Sequence, residues 1–205
     1  MAVRPKHPLP TPPELLVLDT CVLVSTPLRL LLLQLAQDGC FFPLWSRPIG
    51  DEWRRTLYHL WQQERHLVDH HWHELQQRFP QSNLGEVKGL MDGLVYSDSK
   101  DWHVIAAARL ALQRYPGKAV GIMTRNTRDF NLSELRRLHL QRWDPDQFLS
   151  RLWQQQAEKI SPRLSMLPEQ AAKLTGREPE TLWQLLRRER LFRLSRLVAA
   201  AKNTK

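Results

Sequence analysis

The hydrophobic positions of this chain fall into short runs that stop abruptly at polar residues. The first run, Leu15-Leu16-Val17-Leu18, ends at Asp19-Thr20. Bounded by a Pro-rich lead-in, it predicts a buried strand. Residues 1–13 carry five prolines and predict an extended, mobile lead-in. Thr26-Pro27-Leu28 opens a helix, with Pro27 suited to the first turn, that runs to about Gln37 and stops at Asp38-Gly39. Cys40 to Trp45 is a second short apolar run and a second strand. From Ser46, Ile49, Trp53, Leu57 and Leu60 recur at helical spacing, with Glu52 in the first turns. Trp61, Leu67, Trp72, Leu75 and Phe79 continue the apolar positions, so two helices are expected, broken between Glu64 and Asp69.

Pro80 to Gly93 reads as a connection and Val95-Tyr96 as a short extended piece. Ser97 to Asp101 reads as a helix start, capped by Ser97 or Asp98. The Ala-rich stretch Trp102 to Leu112 predicts a buried helix ending near Tyr115-Pro116-Gly117. Ala119 to Thr124 is a third strand, followed by the polar run Arg125 to Asp129, and Leu138 to Trp143 is a fourth. Asp144-Pro145-Asp146 begins a helix on Phe148, Leu149, Leu152 and Trp153. Beyond Ile160-Ser161-Pro162, two or three helical segments are expected, broken near Thr175-Gly176 and Glu178-Pro179. Strands alternating with helices predict an α/β fold with a parallel sheet.

Composition narrows the class. The 205 residues suffice for one sizeable core, and 42% hydrophobic with 25% charged residues is an ordinary globular balance. The net charge of +9 points towards a polyanion, most often nucleic acid. The excess is concentrated at the end: residues 151–205 hold 12 Lys/Arg against 5 Asp/Glu. The two cysteines, Cys21 and Cys40, make neither a disulfide scaffold nor a zinc motif, so a reduced, cytoplasmic setting is the default. The N-terminus lacks the apolar core of a signal peptide. The most apolar stretch, Leu28 to Ala36, is far shorter than the about 20 residues that span a bilayer, so no membrane role is indicated.

Carboxylates then recur in matching positions. Asp19 alone reads equally as a helix cap or as a site residue at a strand's carboxyl end. Three further acids fit the same edge: Glu52 on the helix after the second strand, Asp101 before the Ala-rich helix, and Asp129 after the third strand. No local motif links acids so far apart; only a parallel sheet would bring them together. Clustered carboxylates repel, and a hard divalent cation relieves that repulsion. Such a site can activate water and stabilise displacement at a phosphodiester, and the basic flank would attract its backbone.

In order, LLVLDTCVLVS, SRPIGDEWRRTL, DSKDWHVIAAARL and IMTRNTRDF resemble the four acid-bearing motifs of PIN-domain nucleases. The resemblance covers roughly residues 14–150 and is greatest to the VapC-like toxins of type II toxin–antitoxin systems, in the subgroup with a helical C-terminal extension. It implies a PIN-like three-layer α/β fold with a central parallel sheet. It further implies a Mg²⁺- or Mn²⁺-dependent endoribonuclease acting on single-stranded RNA, usually homodimeric and silenced by an antitoxin. Carried over by position, Asp19, Glu52 and Asp101 would be metal ligands or water-orienting acids, and Asp129 the fourth, more variable one. Thr20, which would support Asp19, and Asn126 would position ligands through hydrogen bonds. Asp51 competes with Glu52, and Asp98 with Asp101; the motif spacing favours Glu52 and Asp101. The implied layout is a lead-in over 1–13, a nuclease domain over 14–150 and a basic helical extension over 151–205.

Other features carry weaker chemistry. His66, His70, His71 and His73 crowd one helix, as a solvated face or a transition-metal site. Trp53, Trp61 and Trp72 could stack on RNA bases but fit packing better. Arg187, Arg188, Arg190, Arg193 and Arg196 form a basic helical stripe beside Leu182, Leu185, Leu186, Leu194 and Leu197. That stripe could bind RNA, pack with solvated arginines, or receive an acidic antitoxin segment. A catalytically weak PIN-like domain that binds nucleic acid or a partner is the main alternative function. A phosphohydrolase with an aspartate nucleophile wants a second Asp where Cys21 stands, and no Gly-rich loop suggests a nucleotide-binding enzyme.

Overall fold

The structure is a computed structural model that describes residues 11–61 and 64–202. Of the Pro-rich lead-in, residues 1–10 lie outside the described residues, as do the side chains of Leu60 and Trp61. The elements run β1 (Leu15–Leu18), α1 (Thr20–Leu23), α2 (Thr26–Gln37), β2 (Phe42–Leu44), α3 (Arg47–Trp61) and α4 (Arg65–Arg78). A 3-10 turn (Ser99–Asp101) leads into α5 (Trp102–Arg114), then β3 (Val120–Met123), α6 (Leu132–Arg137) and β4 (Leu140–Trp143). Last come α7 (Pro145–Thr175), α8 (Leu182–Arg188) and α9 (Phe192–Lys202).

The four strands form one parallel sheet in the order β2-β1-β3-β4. Short all-apolar strands such as LLVL and VGIM are buried at every position, which is what a sheet covered on both faces requires. The crossover from β1 to β2 runs one way and that from β2 past β1 to β3 runs the other. Right-handed crossovers of opposite sense put their helices on opposite faces. On one side α5 packs on β1 and β3; on the other α2 packs on β2 and against α7. The chain is therefore α/β with a parallel sheet flanked by helices. The order reverses between β1 and β3, and the crevice outside their carboxyl ends is where open sheets hold ligands.

Several expectations need correction. The segment after Asp19 makes a short helix, α1, before α2 begins. Val95-Tyr96 is a bend rather than an extended strand, because its backbone donors go to a carboxylate on α6 and not to a neighbouring strand. The helix predicted to break at Ile160-Pro162 continues through Pro162 and Pro168 to Thr175, with its kink upstream at Gln156 (φ −144°, ψ 47°). Ile160, Leu164, Leu167 and Ala171 are all buried, so one packed face holds the helix together across both prolines. The boundary between 150 and 151 falls inside α7, whose surface carries both α2 and α9. The stop at Gly176 stands, with that glycine at φ 65°.

Candidate active site

Strand β1 delivers Asp19 to the crevice and β3 delivers Thr124 beside it. Asp19 is 4% exposed, its amide bonded to the Met123 carbonyl across the strand ends. Its Oδ2 accepts from the Thr124 hydroxyl at 2.7 Å and from the Cys21 thiol at 3.0 Å. Burial pushes the Asp19 carboxyl above its ordinary range; those two donors oppose the rise, and the nearby Glu52 charge adds to it. Burial and the Asp19 charge push the Cys21 thiol up to about 12. It stays protonated and serves as a donor. Thr124 and Cys21 are in turn held by the amides of Asn126 and Arg125, at 2.9 and 3.2 Å.

Helix α3 brings up Glu52. The Thr20 hydroxyl donates to Glu52 Oε2 at 3.0 Å and reaches the Ile49 carbonyl at 3.4 Å. Thr20 therefore supports Glu52 and not Asp19, as the sequence had suggested, because α1 turns its side chain towards α3. His103 Nε2 lies 3.1 Å from the same oxygen, an ion pair whose geometry falls short of a linear hydrogen bond. Its Nδ1 lies 2.8 Å from the Lys100 carbonyl, which can only accept. Both ring nitrogens thus face acceptors, which suits the imidazolium. Burial works against that charge, but Glu52 outweighs it and the His103 pKa is raised. The same contact holds Glu52 below its usual range. Asp51, the competitor, turns to Arg54 and Arg47.

Asp101 closes the 3-10 turn ahead of α5. Burial, then the charges of Asp19 and Asp129, push its carboxyl up to about 6. Asp98 instead caps the turn, its Oδ1 accepting from the Lys100 amide at 3.0 Å. Asp129 follows β3 and accepts from the Asn126 side-chain amide. The four acids are therefore linked through their charges: Glu52 acts on Asp19, Asp19 on Asp101, and Asp129 on Asp101. Even so, among the described residues no three His, Cys, Asp or Glu side chains are gathered as a metal ion would need. Glu52 is turned to His103 and Asp129 to Asn126. The donor set itself, all carboxylate oxygen and under-compensated at two positions, is what a hard cation such as Mg²⁺ or Mn²⁺ takes.

Cys21, Thr124 and His103 had no role assigned from sequence, although all three stand inside the quoted motifs. Glu134 on α6 had no sequence signal at all. It is 1% exposed and accepts the amides of Val95 and Tyr96 on Oε1 (2.8 and 3.2 Å) and of Ser97 on Oε2 (2.9 Å). It thereby fixes the segment that leads into Asp98 and Asp101.

The remaining candidates lie elsewhere. His66, His70 and His71 are exposed and pair with Glu64 or Glu74, and His73 contacts Gln77. Trp53 is 1% exposed and stacks against Trp72 in the core, as expected. The basic stripe is not one helix. The chain leaves α8 at Arg188, passes Arg190 in the left-handed region (φ 58°) and enters α9 at Phe192. A left-handed residue turns the chain sharply, so the arginines diverge. Arg187 lies over the rings of Trp183 and Phe192, Arg188 pairs with Glu180 at 2.7 Å, and the Arg193 amide bonds Asp146.

No family model, curated protein or solved structure matches this chain. Among the described residues no helix is long and apolar enough to cross a membrane.

Proposed function

We propose that this chain is a PIN-type, Mg²⁺- or Mn²⁺-dependent endoribonuclease that cleaves single-stranded RNA. One arrangement carries the reading: the parallel sheet and its flanking helices bring four carboxylates remote in sequence to its switch point, where Asp101 is lifted to about 6, first by burial and then by the charges of Asp19 and Asp129. Carboxylates in such company favour a multivalent cation over more protein donors. The choice of RNA, the toxin role, an antitoxin partner, a homodimer and a cytoplasmic setting belong to this reading through the family resemblance.

Asp19, Glu52, Asp101 and Asp129 would hold the ion, which when bound supplies an activated water and neutralises charge on the phosphodiester. The chain's own residues orient these ligands. Thr124 and Cys21 fix Asp19, Thr20 and His103 hold Glu52, and Asn126 steadies Asp129. His103 also places a positive charge beside the edge where a phosphate would approach.

Cleavage of single-stranded RNA should require Mg²⁺ or Mn²⁺ and stop with EDTA. Asp19→Asn and Asp101→Asn should each lower it by more than about 100-fold, since even outer-shell partners of a metal contribute 10- to 100-fold. Variants that cleave like the parent would show the site to be misassigned. A second reading, a domain that binds nucleic acid without cutting it, draws support from the acids' turning to other partners. RNA binding without metal-dependent cleavage would favour it.

A further inference from the structure

Two basic cavities flank the start of α2. The first, of about 500 Å³, is walled by Ser25, Thr26, Arg125, Leu174, Arg177 and Arg188 among others. It neighbours the carboxylate edge through Arg125, which directly follows Thr124 and whose amide bonds Cys21, although none of the four acids lines it. The second, of about 320 Å³, includes Thr26, Arg29, Trp53, His71, Arg78 and Leu174. Thr26 and Leu174 belong to both walls, so the two cavities adjoin.

Their charge is unbalanced. Five arginines line them; Arg125 pairs with Glu189 and Arg188 with Glu180, which leaves Arg29, Arg78 and Arg177 with no carboxylate partner among the described residues, while Glu74 lies beside His71. Arg29 is the telling residue. It is half-buried, donates to the Leu23 carbonyl, and lies over the Trp53 ring at 5.4 Å. No carboxylate among the described residues pairs with it. Burial pushes even this guanidinium down to about 10. A cation partly withdrawn from water with no counter-ion carries a desolvation cost, and an arriving anion offsets it. Arg177 likewise has no carboxylate partner among the described residues. Cations spaced along two adjoining cavities beside the proposed cleavage edge match a strand with a charge at every residue.

We infer that the two cavities joined at Thr26 and Leu174 form a backbone track for the single-stranded RNA that leaves the carboxylate edge, with Arg177 and Arg78 as its exposed phosphate contacts. The inference rests on the ribonuclease reading, and it assigns the C-terminal segment around Arg177 and Arg188 to substrate binding. Arginine suits this because its fork meets phosphate oxygens in pairs.

The test measures binding of a labelled single-stranded trinucleotide and dodecamer in EDTA, over a range of salt. The parent should hold the dodecamer at least about tenfold more tightly than the trinucleotide. Arg78→Gln/Arg177→Gln should lose that advantage and lower the log–log salt slope by about 1.4, at roughly 0.7 per phosphate contact for a single strand. Arg78→Lys/Arg177→Lys should retain most of the slope, which separates charge from folding damage. If the Gln variant keeps the parent's dodecamer affinity and slope while the parent cleaves RNA, the track is wrong and the nuclease reading stands. If the parent neither binds nor cleaves RNA, both fall. Displacement of the dodecamer by an acidic peptide as readily as by RNA would also overturn the track in favour of a protein partner.

Discussion

Glu134 and Asp101 are both acids set beside the same turn, yet their surroundings are opposite. Glu134 is the more buried of the two and is saturated: three backbone amides point at its oxygens. Burial alone would raise its pKa, but the bonds from Ser97, Val95 and Tyr96 outweigh that and hold the carboxyl below its usual range. Asp101 has carboxylates for neighbours and is pushed up to about 6. Asp146 follows Glu134's pattern, capping α9 through the amides of Arg193 and Leu194 at 2.8 and 2.9 Å. Acids that hold the fold together are satisfied by backbone amides; at the sheet edge Asp19, Glu52 and Asp129 are held by side-chain donors, while Asp19 and Asp101 stay above their ordinary range. The raised Asp19 and Asp101 carboxyls are a stability cost at neutral pH, which the proposed cation would relieve.

The largest expected effect is on the saturated side. Glu134→Ala would strand three amides that now have a buried acceptor, and should destabilise the fold by about 2–4 kcal/mol in urea unfolding. A loss under about 0.5 kcal/mol would mean water replaces the carboxylate freely. Asp146→Ala should follow at about 1–2 kcal/mol, the range of a lost helix cap.

Asp101→Asn should act in the other direction. A carboxyl whose folded pKa is raised binds protons more tightly when folded, so its contribution to stability falls as pH rises from the unfolded value towards about 6. Above that pH the charged form carries the full penalty. At pH 7.5 without divalent ions, Asp101→Asn should stabilise the protein by on the order of 1 kcal/mol after solvent screening is allowed for. The gain should vanish below the ordinary carboxylate range. Glu134 has the opposite sign: its contribution is present above the unfolded pKa and is lost as acid protonates it. Urea midpoints across pH for both variants would expose the contrast, and parallel curves would erase it.

The smallest effect should be at Asp51, next to Glu52 but paired with exposed Arg47 and half-buried Arg54. Asp51→Asn should change stability by less than about 0.5 kcal/mol and leave RNA cleavage at the parent's level. A loss of cleavage as large as that of Asp19→Asn would move the second acid from Glu52 to Asp51.

Much of this was legible in the chain. The apolar runs ending at Asp19 and Thr124, and the Ala-rich helix after Asp101, marked a parallel sheet because strand burial and helix amphipathicity are local properties. Partners were not legible. Glu134 reads as an ordinary helical acid because what it binds is backbone amide, which every residue carries. Thr20 was assigned to the wrong acid because one helical turn, α1, re-aims it. The kink at Gln156 was misplaced at Pro162 because the buried face beyond it outweighs the proline's local preference.

The most direct test is Mn²⁺ titration of the purified protein by calorimetry at neutral pH. The parent should bind the ion, and Asp19→Asn and Asp101→Asn should each lose that binding while unfolding cooperatively in urea. A parent that binds no Mn²⁺, or variants that bind it as the parent does, would contradict the claim that the under-compensated carboxylates are held for a cation.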